Sequence, residues 1–196
     1  MLQLPKQKVE GHHGSYRSDP EPVYACSATP YRTLSRTGTL AENLRDSYLR
    51  QYWGYVVEDG QPERKLCKAS FIIINGAGDV TGKTYIGQVW SLAGSKNLST
   101  LRATSTNSFT GSNYTSATEV EFEFDSINIG PGDAIIITNT DSGGDPANYV
   151  RVAYIASDAD GGYFAKARWL NTGALGATGI EAADFFGSVY EYVLVE

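Results

Sequence analysis

The sequence predicts an all-β chain: an antiparallel jelly-roll β-sandwich of eight to nine strands, preceded by an extended N-terminal arm with one short helix. Three observations predict it. Between Glu119 and Asp125, Val120, Phe122 and Phe124 alternate with Glu119, Glu121, Glu123 and Asp125, the period of two that gives a strand one apolar and one acidic face. Apolar runs of strand length then recur along the chain, separated by Gly, Asp, Asn and Pro clusters, as in sandwiches and barrels. Finally, Tyr, Gly, Thr and Ser are abundant while Leu, Lys and Met are scarce, a bias toward strands and turns.

Up to about residue 50 the chain reads as an arm. Pro5, Pro20, Pro22 and Pro30 interrupt it, no period is sustained, and isolated apolar residues such as Val9, Tyr16, Val23, Tyr24 and Tyr31 suit a segment that orders by lying across a neighbouring surface. Thr39 and Glu42 have capping-box spacing, and Leu40, Leu44 and Tyr48 follow at intervals of four, which predicts a short amphipathic helix over 39–49. His12 and His13 are adjacent but lack a third ligand, so no metal site is expected there.

From residue 51 to 196 the chain reads as the sandwich. Strands are expected at Tyr52–Val57, Leu66–Ile74, Tyr85–Leu92, Leu101–Thr106, Val120–Asp125, Ala134–Asn139, Tyr149–Ile155, Tyr163–Leu170 and Ser188–Val195. Gly130-Pro131-Gly132-Asp133 is a turn signal, and the unbroken apolar run after it suits a strand covered on both sides. Asn171 to Gly187, with four glycines, reads as a long loop.

The formal charge of -6 is uneven, with about nine Lys and Arg against about seventeen Asp and Glu after Arg50. An acidic body lacks the clustered cations that phosphate binding needs, so no nucleic-acid partner is expected. No apolar run approaches a membrane span and the N-terminus lacks a secretory h-region, which leads to an expectation of synthesis in the cytoplasm. Cys26 and Cys67, about forty residues apart, read as two unrelated thiols, with one disulfide closing arm onto body as the alternative.

No catalytic constellation emerges. The only histidines lie in the arm, and Glu119, Glu121 and Glu123 fall on one face of one strand, where like charges make a solvated face and not a directed acid and base. The chain therefore reads as a non-enzyme with no cofactor. Asp141, Asp145 and Asn148 offer oxygen donors on one loop, as structural calcium would require, although turns favour Asp and Asn for backbone reasons alone. Aromatic residues in or beside loops, Trp90, Tyr114, Tyr149, Tyr163 and Trp169, are the candidates for stacking on a sugar.

Leu101 to Ser105, Tyr114 to Phe124, Gly132 to Ile137 and Asn148 to Val152 together resemble the choice-of-anchor R type of jelly-roll domain, over a span from about residue 51 to the C-terminus. The resemblance implies a carbohydrate-module-like sandwich of the kind found in phage virion proteins and in modular bacterial surface proteins. Two functions follow as expectations. One is a structural virion component (decoration, fibre or tail-associated), attached to other virion proteins by its arm, forming homo-oligomers and able to touch host-surface glycans. The other is a carbohydrate-binding module of a bacterial surface or glycan-degrading system.

Overall fold

The structure, a computed structural model, describes residues 21–33, 40–45, 52–111, 117–140, 147–155, 164–169, 175–181, 184–185 and 187–195. Among them are fourteen strands and no helix: β1 (Tyr24–Cys26), β2 (Arg32–Thr33), β3 (Leu40–Arg45), β4 (Tyr52–Val57), β5 (Arg64–Ala77), β6 (Thr84–Leu92), β7 (Leu98–Thr110), β8 (Thr118–Ile129), β9 (Asp133–Asn139), β10 (Tyr149–Ile155), β11 (Phe164–Trp169), β12 (Leu175–Glu181), β13 (Asp184–Phe185) and β14 (Ser188–Leu194). Their pairings are antiparallel and form two sheets that pack as a β-sandwich.

The first sheet is built on β5. One of its edges pairs with β8 from Arg64↔Ile129 to Ile73↔Thr118. Its other partners are β14, through Leu66–Ala69, and β10, through Ile73–Ala77. Strands β1 and β2 add to β14, and β3 and β13 add to β10. The second sheet has the order β12-β11-β4-β9-β6-β7.

The alternation in β8 does what its period dictates: Val120, Phe122 and Phe124 are buried, while Glu121, Glu123 and Asp125 are exposed. The acidic face is the solvated side of the first sheet, and Lys68 Nζ lies 2.9 Å from Glu121. Strand β9 is buried at every position, because it is central in its sheet and covered on both faces. Ile135 and Ile137 face the core between the sheets, where Tyr55 stacks on Phe71 with ring centroids 4.8 Å apart. Such packing of aromatic and branched residues from both sheets is the main stabilising term of the fold. The turn before β9 closes as its residues require: Gly132 has φ +89°, and Asp133 N donates to Gly130 O at 3.0 Å, as in a type II turn with Pro131 at its first corner.

Three expectations are corrected. The helix expected over 39–49 is not formed at Leu40–Arg45, which is β3; residues 46–50 lie outside the described residues. A spacing of four is an even number, so it fits the period of a strand as well as that of a helix. Pairing along β10, with Leu44 opposite Val150 and fully buried, overrides a weak local helix preference. Cys26 and Cys67 are not separate thiols but a disulfide with Cα atoms 5.6 Å apart. Strand β14 gathers them: Cys26 is opposite Tyr192, and Leu66, next to Cys67, is opposite Glu191. The glycine-bearing stretch expected as a loop over 171–187 contains β12, paired with β11, and β13.

These pairings also mean that β1, β2 and β3, from the segment expected to be an arm, are parts of the sandwich.

Candidate functional site

The outer face of the second sheet carries an aromatic platform. Tyr52 on β4 and Trp90 on β6 are separated by β9, and Gly54, two residues after Tyr52, puts no side chain on this face. A Cβ at Gly54 would run into the β9 backbone at Ile135 O and at Ile136 Cα, 2.7 Å away, so glycine is what lets β4 and β9 approach there. The two rings lean toward one another across β9 and meet edge to face, centroids 6.2 Å apart. Beneath them Ala134 and Ile136 are completely buried, and Tyr52, only 8% exposed, is buried with Val56.

Trp90 itself is half-buried, and its Nε1 donates to Gln88 Oε1 at 3.0 Å, which fixes the indole orientation. Leu92 and Leu98 pack at the side of the cluster, and Leu101, the strand partner of Trp90, is 44% exposed. The result is a rigid apolar surface on which Trp90 and Leu101 are open to solvent, with the buried Gln88 amide tied to the indole. That combination suits a ligand with one apolar face and a hydroxylated rim.

A second feature is a cleft of about 470 Å³ where β1, β5, β8 and β14 of the first sheet meet β7 of the second, lined by the Cys26–Cys67 disulfide, Lys68, Thr106, Glu123, Asp125 and Tyr192. Tyr192 Oη donates to Phe124 O at 3.3 Å and Thr106 Oγ1 to Glu123 O at 3.3 Å, so its wall is held by backbone acceptors of β8. Among the described residues no group of three His, Cys, Asp or Glu is placed to hold a metal ion.

The aromatic candidates do not assemble into one site. Trp90 lies in the second sheet and Tyr149, half-buried on β10, in the first. Trp169 is in β11, where its backbone is opposite Tyr52, whereas Tyr114 and Tyr163 lie outside the described residues. Of the loop oxygens, Asp141 and Asp145 also lie outside them. Asn148 braces a turn, since its Oδ1 accepts from Asp79 N at 3.0 Å, beside Gly78 at φ +68°. Asp79 in turn accepts from Thr81 N at 2.9 Å, and that hydrogen bond, with help from the Thr81 side chain and Lys83, holds its carboxyl below the usual carboxylate range.

Sequence reasoning singled out Trp90 but missed Tyr52 and Gln88. The signal was present in Tyr52-Trp53-Gly54-Tyr55, where a glycine interrupts an aromatic strand, yet only the order β4-β9-β6 shows that Tyr52 meets Trp90 across β9.

No family model matches the chain. No curated protein matches it by sequence. Among solved structures, it is similar to the clostridial cysteine protease Cwp84 after propeptide cleavage, at 14% identity and a TM-score of 0.47, covering 88% of this chain and 40% of that one. It is also similar to the cysteine protease and lectin-like domains of Cwp84, a surface layer associated protein of Clostridium difficile, at 15% identity and a TM-score of 0.41, covering 74% of this chain and 32% of that one. The chain thus spans less than half the length of these structures, and a likeness this distant says nothing of its activity or ligand.

Proposed function

We propose that this chain is a non-catalytic display module, a jelly-roll sandwich that presents the outer face of its second sheet to a glycan. The observation that carries this reading is the half-buried Trp90 indole, braced edge to face by the buried Tyr52 ring and held by Gln88 Oε1. Stacking on a ring supplies the apolar half of sugar recognition, and amide and hydroxyl groups beside it supply the directed half. The acidic side chains of β8 serve the reading as a solvated face rather than as catalytic carboxylates, because Glu121 is engaged by Lys68.

The setting proposed is a phage particle, the virion surface that the choice-of-anchor R resemblance implies, with the module assembled alongside other virion proteins or further copies of itself. The Cys26–Cys67 disulfide supports display outside a reducing cytoplasm. Since residues 21–33 and 40–45 contain strands of the sandwich, attachment by an arm falls in this reading to the residues before Glu21.

A glycan array probed with the intact protein and with Trp90→Ala tests the recognition. Binding that the substitution abolishes, while Tyr149→Ala keeps it, supports the reading; an array without any bound glycan rejects it. Mass spectrometry of purified particles distinguishes a virion part from a module of a bacterial glycan-degrading system.

A further inference from the structure

We infer that the Cys26–Cys67 disulfide is a redox latch, whose reduction releases β1 from β14 and opens the cleft beside it while the sandwich behind stays folded. The inference rests on how little else holds β1. The strand has three residues, all exposed, and three register partners on β14: Leu194, Val193 and Tyr192. Val23 is 65% exposed and Tyr24 49% exposed, so the ladder buries little apolar surface of its own. Among the described residues, the further ties nearby are Val195 N donating to Val23 O at 2.8 Å, Ser27 N donating to Glu191 O at 2.9 Å, and Lys65 Nζ 4.6 Å from the Tyr24 ring. A short exposed ribbon with such ties belongs to the low end of the local stabilities within a fold.

The chain is held differently a few residues on. Tyr31 packs against the core, its N donates to Val189 O at 3.0 Å, and β2 pairs with β14 directly after it. Between the two regimes Ser27 Oγ donates to Thr29 O at 2.7 Å and accepts from Thr29 N at 3.2 Å, forming the turn at which movement of β1 would stop. Cys26, Ser27 and Ala28 line the cleft, so displacement of β1 takes Cys26 out of that wall while Ser27 and Ala28 stay at the turn.

The cleft also gives access to the bond. Cys26 is exposed whereas Cys67 is 3% exposed, so a thiolate of a dithiol reductant attacks Cys26 Sγ. The sulfur–sulfur bond breaks, Cys67 Sγ leaves as a thiolate and takes a proton, and Cys26 is held in a mixed disulfide. The second thiol of the reductant then displaces Cys26, which takes the other proton, and the reductant departs oxidised to a disulfide. Two electrons and two protons have passed to the protein.

Hydrogen exchange of the whole chain, oxidised and after treatment with dithiothreitol, tests the latch. In the reduced protein, peptides covering 23–26 and 192–195 should lose all protection, while the peptide covering 135–137 keeps protection above the unfolded-chain rate. Cys26→Ser should reproduce that pattern without reductant. Protection that persists at β1 after reduction, or disappearance of all protection including that of 135–137, would each overturn the inference.

Discussion

The side chain of Asn107 forms a peptide-like pair with β8: its Oδ1 accepts from Glu123 N at 2.8 Å while its Nδ2 donates to Glu121 O at 3.0 Å. β8 is paired on its other edge with β5, so Asn107, reaching from β7, joins the two sheets at a seam where no ladder runs. A strand edge left with open donors and acceptors invites pairing with another chain, and a side-chain amide blunts it. Asn107→Asp keeps the shape but removes the donor and adds a third carboxylate beside Glu121 and Glu123. We expect it to destabilise the fold by about 1–2 kcal/mol, read by urea denaturation, with Asn107→Ala nearer about 1 kcal/mol. Unchanged midpoints for both would refute this role.

Much of the sandwich was legible because its strands declare themselves locally. Tyr52–Val57 and Tyr149–Ile155 are strands with the expected bounds, and β8 buries the expected alternate residues. What stayed hidden depends on partners far along the chain. Leu40–Arg45 carries a helical spacing and becomes a strand because β10 has an edge to fill; Cys26 and Cys67 meet because β14 brings their strands together. The platform was half legible: Trp90 could be named from its type and position, whereas its pairing with Tyr52 required the strand order.

Trp90 separates recognition from stability. Trp90→Phe keeps an aromatic face next to Tyr52 but loses the hydrogen bond to Gln88. It should cost about 1 kcal/mol of stability and retain glycan binding in weakened form. Trp90→Ala should cost about 2–3 kcal/mol for a ring that is half-buried, and should abolish binding. Thermal unfolding and binding isotherms on both variants check the order; equal binding by wild type and Trp90→Ala would exclude the platform.

Gly87 sits on the inner side of β6, where a Cβ would stand 2.7 Å from both Cβ and Cγ of Phe122. Phe122 is fully buried between the sheets and cannot yield cheaply. Gly87→Ala should therefore destabilise by about 1–3 kcal/mol. Gly82→Ala has open space around its Cβ but a φ of +80°, so its cost should come from the backbone alone. Differential scanning calorimetry on the pair, with the core rings followed by near-ultraviolet circular dichroism, should show aromatic repacking in Gly87→Ala only.

The Asp79 turn gives a pH dependence of definite sign. Its folded-state carboxyl titrates below its unfolded value, chiefly because the ionised form accepts from Thr81 N. The stabilisation is therefore present above the unfolded carboxylate value of about 3.9 and is lost as pH falls through the lower folded value. The group is exposed, so the effect is local. Carbon-detected NMR titration should place the Asp79 midpoint below that of a flexible aspartate, and Thr81→Pro, which removes the donor, should move it back up. A midpoint indifferent to Thr81→Pro would remove the hydrogen bond as the cause.

The disulfide also makes a global prediction apart from any movement of β1. It joins residues 41 apart in sequence, so it restricts a loop of that length in the unfolded chain. The chain-entropy relation gives about 4 kcal/mol for such a loop, with native-state effects able to reduce it. The double substitution Cys26→Ser/Cys67→Ser should lower stability by about 2–4 kcal/mol, measured by guanidinium unfolding under oxidising conditions. The gain should come mainly from the unfolded state, so folding should slow more than unfolding accelerates if the loop closes before the transition state, and unfolding should accelerate more if it closes after. Because Cys26 lies on a three-residue edge strand and Cys67 on the β5 spine of the first sheet, the second outcome is expected: the spine forms early and β1 docks late. A chevron in which only the folding limb shifts would reverse that order.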